Sequence, residues 1–221
     1  MTPDSIFSQS SPSMEGAIHP SEPTPRIPPL STEELRPEWQ ATLAKIPGDG
    51  LKGNGFPHNV LGMLMYSPEI LGPFLDYWVT AKLAMTLTVR EQELVILRIG
   101  SLYRNNYVWK HHVPVAQEFG VNESELIAVC HGRYAETFCP REHALLALAD
   151  ELVSARTISR PAWEEHALLL MPRDVIDLIT LVSQYTLFAL TNNALQVPLE
   201  APLADIPGLA EMIEIDQPKS L

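Results

Sequence analysis

The sequence predicts an all-α fold, on three observations. Nothing alternates with period two over a useful length; apolar residues recur at helical spacing almost without interruption beyond residue 57; and helix-start signatures recur along the chain. Residues 1–29 hold prolines among serines and threonines with little periodic apolar content. Such a segment cannot bury enough surface to offset the entropy of ordering, and the expectation is a flexible arm. A short helix is expected over 31–45, opened by Ser31 as cap with Glu34 three residues later. The glycine-rich PGDGLKGNGFP, residues 47–57, then makes a loop.

Thr88-Val89-Arg90-Glu91 opens a helix with another capping box, and its body ELVILRIGSLY is apolar on nearly every face, as a central buried helix would be. Asn122-Glu123-Ser124-Glu125 repeats the device after Gly120, a helix-ending residue. Pro140, Pro161 and Pro172 fall where the first turn of a helix tolerates them. Seven or eight helices are expected, in one helical domain over 30–200 with a tail from 201 to 221. VREQELVILRIGSLY and PREHALLALADELV align at a shift of 51 residues, matching Arg90 with Arg141 and Glu91 with Glu142. This echo points to two related helical units, although leucine-rich helices also resemble one another by chance.

Fifteen basic against 27 acidic residues give a net charge of −12, which repels phosphate backbones and anionic lipid surfaces; neither nucleic acid nor membrane is an expected partner. Cys130 and Cys139 fit neither a redox CxxC nor a zinc spacing and read as free thiols in a reducing compartment. The start of the chain lacks the pattern of a secretory signal, and the run Val175–Leu190, broken by Asp177 and Gln184, is too short to span a bilayer. A cytoplasmic protein is expected.

Within the 89–103 helix, Glu93 is carried beneath Ile96, Leu97 and Gly100 into an apolar surface. It is either one half of a salt bridge between helices or a carboxyl poised for proton transfer. Arg98, embedded in VILRIG, must meet a carboxylate from the protein or from a bound acid. In NNYVWKHHVP, His111 and His112 are consecutive and point about 100° apart on a helix, so they cannot both ligate one ion. His112 falls on the stripe of Val108, Val115, Ala116 and Phe119 and is the inward one, whereas His111 shares the side of Tyr107. Pro114 cannot donate to the carbonyl of Lys110, which either kinks the helix or exposes that oxygen to a ligand.

Glu93, eleven intervening residues, position 105, two more, position 108, three more, then His112 resembles the Glu-x11-Cys-x2-Cys-x3-His signature of the alkylhydroperoxidase-D-like branch of the carboxymuconolactone decarboxylase superfamily. Asn105 and Val108 stand at the two cysteine positions. Tyr107-x-Trp109-x-x-His112 is similar instead to the Y-E-W-x-x-H of the non-peroxidatic branch, with Val108 in place of its glutamate. The resemblance runs from about residue 30 to 200 through REHALLALADEL and YTLFALTNNALQVPLE. It implies an all-helical protomer in trimers or hexamers, with active sites between helices near subunit interfaces.

The activity implied is that of a cofactor-independent, metal-free lyase, decarboxylase-like, acting on a small enolisable carboxylic acid or lactone. His112 would return a proton to carbon, tuned by Glu93, and Tyr107 would donate to the oxyanion. Arg98 or His58 would place the acid, Trp109 would shape the wall, and His111 would complete the substrate-binding set. An isomerase, dehydratase or cyclase would use the same pair up to the enolate. Peroxidase chemistry lacks its thiolate, and a binding protein retaining only the scaffold is the non-enzymatic alternative.

Overall fold

The computed structural model describes residues 24–30, 36–43, 59–132, 134 and 136–215. Among these, ten α-helices follow one another: α1 Pro37–Leu43, α2 Asn59–Leu64, α3 Pro68–Ala84, α4 Val89–Leu102, α5 Asn106–Glu118, α6 Glu123–His131, α7 Pro140–Ser154, α8 Arg160–His166, α9 Pro172–Leu195 and α10 Leu209–Ile215. Single 3-10 turns lie at Ala167–Leu169 and Ala201–Leu203. The described part is all-α, with more helices than the seven or eight expected because short pieces flank the core.

The capping signals act as the sequence indicates. Thr88 accepts from the Glu91 backbone N–H at 3.2 Å while Glu91 accepts from that of Thr88 at 2.7 Å. Asn122 and Glu125 exchange the same two bonds at 3.1 and 2.8 Å. The box expected at Ser31, the glycine-rich loop and His58 lie outside the described residues.

α4 is the central element: Glu91 through Gly100 are all buried, and the helix packs against α5, α6, α7 and α9. One apolar core joins its Val95, Ile96 and Ile99 to Leu75 and Trp78 of α3, Leu145 and Leu148 of α7, and Leu178, Tyr185 and Phe188 of α9. A second, on its other side, joins Leu94 and Leu97 to Trp109, Val113 and Ala116 of α5, Val129 of α6, and Leu209 and Met212 of the last helix. Close approach of α5 is possible because Gly100 has no Cβ; one would meet Val108 Cγ1 and the Trp109 nitrogen at 3.4 Å.

The internal echo has a geometric counterpart. Arg90 of α4 reaches Glu142 of α7 at 2.8 Å, and Arg141 of α7 reaches Glu91 of α4 at 2.7 Å. Each arginine also bridges to a carboxylate that caps a later helix: Arg90 to Glu125 of α6, and Arg141 to Asp174 of α9 at 2.7 Å. The two units therefore face each other through reciprocal ion pairs. Ala144, fully buried, stands where the first unit has Glu93, and the half-exposed Trp163 where it has His112.

Three expectations are modified. Residues 24–30 are not a free arm: the Arg26 N–H donates to the Leu195 carbonyl at 2.9 Å and the Leu30 N–H to that of Gly62 at 3.1 Å. The described part of the tail, residues 201–215, is part of the fold, since Leu203, Leu209 and Met212 are buried. The apolar run near 180 belongs to a 24-residue helix, long and apolar enough by length and composition to cross a membrane. Half of its most apolar window is buried inside the fold, because one side of α9 packs on α3, α4 and α7.

Candidate active site

α4 and α5 place Glu93 and His112 against each other. Glu93, with no exposed surface, accepts from His112 Nδ1 on Oε2 at 2.6 Å and from Lys82 Nζ on Oε1 at 3.4 Å. Lys82 comes from the last turn of α3. Burial by itself pushes the Glu93 carboxyl up, yet the His112 ring and the Lys82 ammonium outweigh it and hold the group below the usual carboxylate range. An ionised Glu93 fixes the tautomer, with Nδ1–H donating and Nε2 on the far side of the ring left for proton exchange.

Tyr185 of α9 closes the cluster, its ring edge-on to His112 with centroids 5.1 Å apart. Burial first, and the nearby Glu93 charge second, push its phenol well above the ordinary tyrosine value, while a hydrogen bond with Trp78 pulls the other way. Tyr185 thus stays a neutral phenol. His112 keeps 17% of its side-chain surface exposed against none for Glu93, so the imidazole stands between the buried carboxylate and the outside.

The neighbouring histidine serves a second cluster. His111 Nε2 meets Glu200 Oε2 at 2.7 Å, and the Tyr107 hydroxyl donates to Glu200 Oε1 at 2.7 Å while accepting from the Val60 N–H at 3.3 Å. The Tyr107 and His111 rings lie 4.4 Å apart. Burial pushes Glu200 up, but His111 holds it below the usual range. The Asn59 N–H adds a third bond to this carboxylate, which ties α2, α5 and the segment after α9 together.

Two sequence-derived candidates are engaged elsewhere. Arg98 forms a two-pronged pair with Asp150, Nε–Oδ1 2.6 Å and Nη2–Oδ2 3.0 Å, and donates through Nη1 to the Val129 and Cys130 carbonyls. Of the two partners left open for it, the protein's own carboxylate is the one present. Gly132 ends α6 beside it at φ +71°, where a Cβ would fall 2.9 Å from Nη2. Trp109 is fully buried in the second core and donates to the Pro207 carbonyl at 3.1 Å, away from Tyr185 and Trp78 in the first. His111 shares the side of Tyr107 as expected, but His112 is not the more inward of the two, its side chain being 17% exposed against 11% for His111, and Phe119 of the expected stripe is exposed.

Lys82, Tyr185 and Glu200 were not legible as site residues. Lys82 and Tyr185 reach Glu93 and His112 from other helices, with no spacing rule to connect them. The two positions that resemble cysteine sites carry structural residues: Asn105 caps α5 through the Val108 N–H at 2.7 Å and donates to the Ala189 carbonyl at 3.1 Å, while Val108 is buried in the core. Cys130 is buried beside Arg98 and Ser101, and Cys139 is exposed at the start of α7.

Residues 69–151, which contain Lys82, Glu93 and His112, match the model of the carboxymuconolactone decarboxylase family. Over that span the helical core resembles this family. The debrominase Bmp8 is similar in structure, with a TM-score of 0.68 at 16% identity over 84% of this chain and 96% of that one. So is an uncharacterized peroxidase-related protein with an alkylhydroperoxidase AhpD core from Ralstonia eutropha JMP134, with a TM-score of 0.68 at 17% identity over 83% of this chain and 96% of that one. A putative antioxidant defence protein AhpD from Agrobacterium tumefaciens matches over 62% of this chain and 94% of its own, with a TM-score of 0.57 at 14% identity. No curated protein matches the chain in sequence.

Proposed function

We propose that this chain is a cofactor-independent, acid–base enzyme acting on a small enolisable carboxylic acid or lactone, with loss of CO2 as the overall reaction. The observation that carries the reading is the 2.6 Å contact between His112 Nδ1 and a carboxylate with no exposed surface. Such a pair orients one ring nitrogen and leaves the other to deliver a proton. Carbon acids whose departing electrons settle on their own oxygen need no metal or electron-sink cofactor, so a proton donor and an oxyanion donor suffice.

The debrominase and the peroxidase-related proteins keep thiol chemistry in view as an alternative. It is disfavoured here because the chain's two thiols lie within α6 and at the start of α7, with no contact to the Glu93–His112 pair. Isomerisation, dehydration or ring closure shares every step up to the enolate and is the second reading. A homo-oligomer, trimer or hexamer, belongs to the same proposal: Ile176 and Leu190 on α9 and Ile70 on α3 are more than half exposed, an apolar surface that a second copy would cover.

The test is a screen of carboxylated lactones and keto acids in D2O, read by mass spectrometry. Loss of CO2 mass supports the first reading, and deuterium uptake without mass loss supports the second. Equal turnover by wild type and by His112→Ala would remove the proposed role of the pair.

A further inference from the structure

A proton placed on or taken from carbon leaves its counterpart charge on an oxygen, and that oxygen needs a donor. The sequence offers Tyr107 for this, but its hydroxyl already donates to Glu200 and accepts from Val60 in the neighbouring cluster. Arg98 is spent on Asp150 and two carbonyls, and Arg90 and Arg141 on four carboxylates between them. Among the described residues, Lys82 is the cation that touches the Glu93–His112 pair.

Three features suit it to a ligand oxygen. Its contact with Glu93, 3.4 Å, is well beyond the roughly 2.7–2.9 Å of a strong charged hydrogen bond, so the ammonium is held loosely. An ammonium carries three donors, and Glu93 takes one. Its side chain is 22% exposed where Glu93 is fully covered, so the lysine, unlike the carboxylate, reaches the surface. In addition, Lys82 and His112 occupy different oxygens of one carboxylate, so a planar, buried anion holds the ammonium and the imidazole side by side.

We propose that Lys82 is the oxyanion-binding catalytic residue of this site, an assignment that rests on the acid–base reading above. As the bond from the reacting carbon to hydrogen or to CO2 breaks, its electron pair forms the enolate C=C and the carbonyl pair moves to oxygen, which accepts an N–H from Lys82. His112 Nε2 takes a proton from carbon in the first case; in the second Nε2, first protonated from water, gives that proton to carbon after CO2 has left and returns to its starting form. The ammonium belongs on the arriving charge. Placed on a departing carboxylate it would stabilise the ground state and slow the reaction.

The probe is 4-nitrophenol, whose phenolate mimics an enolate and reports its own ionisation by colour. The wild-type chain is expected to bind it as the phenolate, lowering its apparent pKa, with nitrobenzene as the neutral control. Lys82→Met and Lys82→Gln are expected to weaken phenolate binding about 10- to 100-fold, abolish the pKa shift and leave nitrobenzene binding unchanged. Lys82→Arg should keep most of the shift. Binding of the probe as neutral phenol, no binding by wild type, or an equal shift in the folded neutral variants would each overturn the assignment. Because no turnover is involved, this result is separable from the deuterium screen: proton transfer with no role for Lys82, and phenolate binding without proton transfer, are distinct outcomes.

Discussion

Glu93 and His112 meet across the α4–α5 interface at 2.6 Å, with the carboxylate wholly removed from solvent and the imidazole at the edge. A buried carboxylate is costly unless it is paired, so this contact is a structural necessity, and in the proposed function it is also the source of proton chemistry.

The first prediction separates those two roles. Glu93→Gln keeps the shape but removes the charge that sets the His112 tautomer, and His112→Ala removes the proton carrier. Each is expected to lower turnover of a substrate found in the screen by about 10²- to 10⁴-fold. Steady-state kinetics on folded variants, checked by circular dichroism, measure this, and a change confined to KM would contradict it.

The second concerns acid. Glu93, Glu142, Asp174 and Glu200 are all held below their ordinary values by paired cations or imidazoles, against the burial that raises them. A carboxyl with a depressed native pKa adds stability that is present above its unfolded pKa, near 4.5 for glutamate, and is lost as pH falls through the lower native value. Urea unfolding should therefore show stability falling steeply below about pH 4.5. Glu93→Gln should flatten that fall. An identical slope in the variant would be evidence against an ionised Glu93.

The third concerns Arg98. With its guanidinium paired to Asp150 and capping the end of α6, Arg98→Met should destabilise by about 3 kcal/mol or more, while activity per folded molecule stays near wild type. Thermal melts and active-site-normalised rates decide it. A stable but inactive variant would return Arg98 to the substrate.

The reciprocal pairs Arg90–Glu142 and Arg141–Glu91 give the fourth. A double-mutant cycle on either pair should return a coupling of about 1 kcal/mol, partly buried pairs exceeding exposed ones. Similar couplings in the two cycles are expected from their matching geometry, and a zero in one would break the equivalence of the two units.

Helix boundaries and the central position of α4 were legible because capping boxes and apolar periodicity are local. That His111 and His112 meet different partners followed from 100° per residue, but which of them is the more buried did not. Contacts made by long polar side chains between helices were not legible. Arg98 in an apolar run signals only that a partner exists, and nothing local distinguishes Asp150 from a bound acid. Lys82 and Tyr185 are unremarkable in their own helices and gain meaning only where α3 and α9 pass α4. The proline-rich segment illustrates the same limit from the other side, since backbone bonds from Arg26 and Leu30 hold part of it without any apolar pattern.

The most direct measurement is nitrogen-resolved NMR of the His112 ring in wild type and Glu93→Gln. The account predicts a protonated Nδ1 whose proton is strongly hydrogen-bonded and slow to exchange, an Nε2 in contact with solvent, and loss of the Nδ1 proton signal when Glu93 is neutralised. A ring protonated only on Nε2, or one indifferent to the change at position 93, would contradict it.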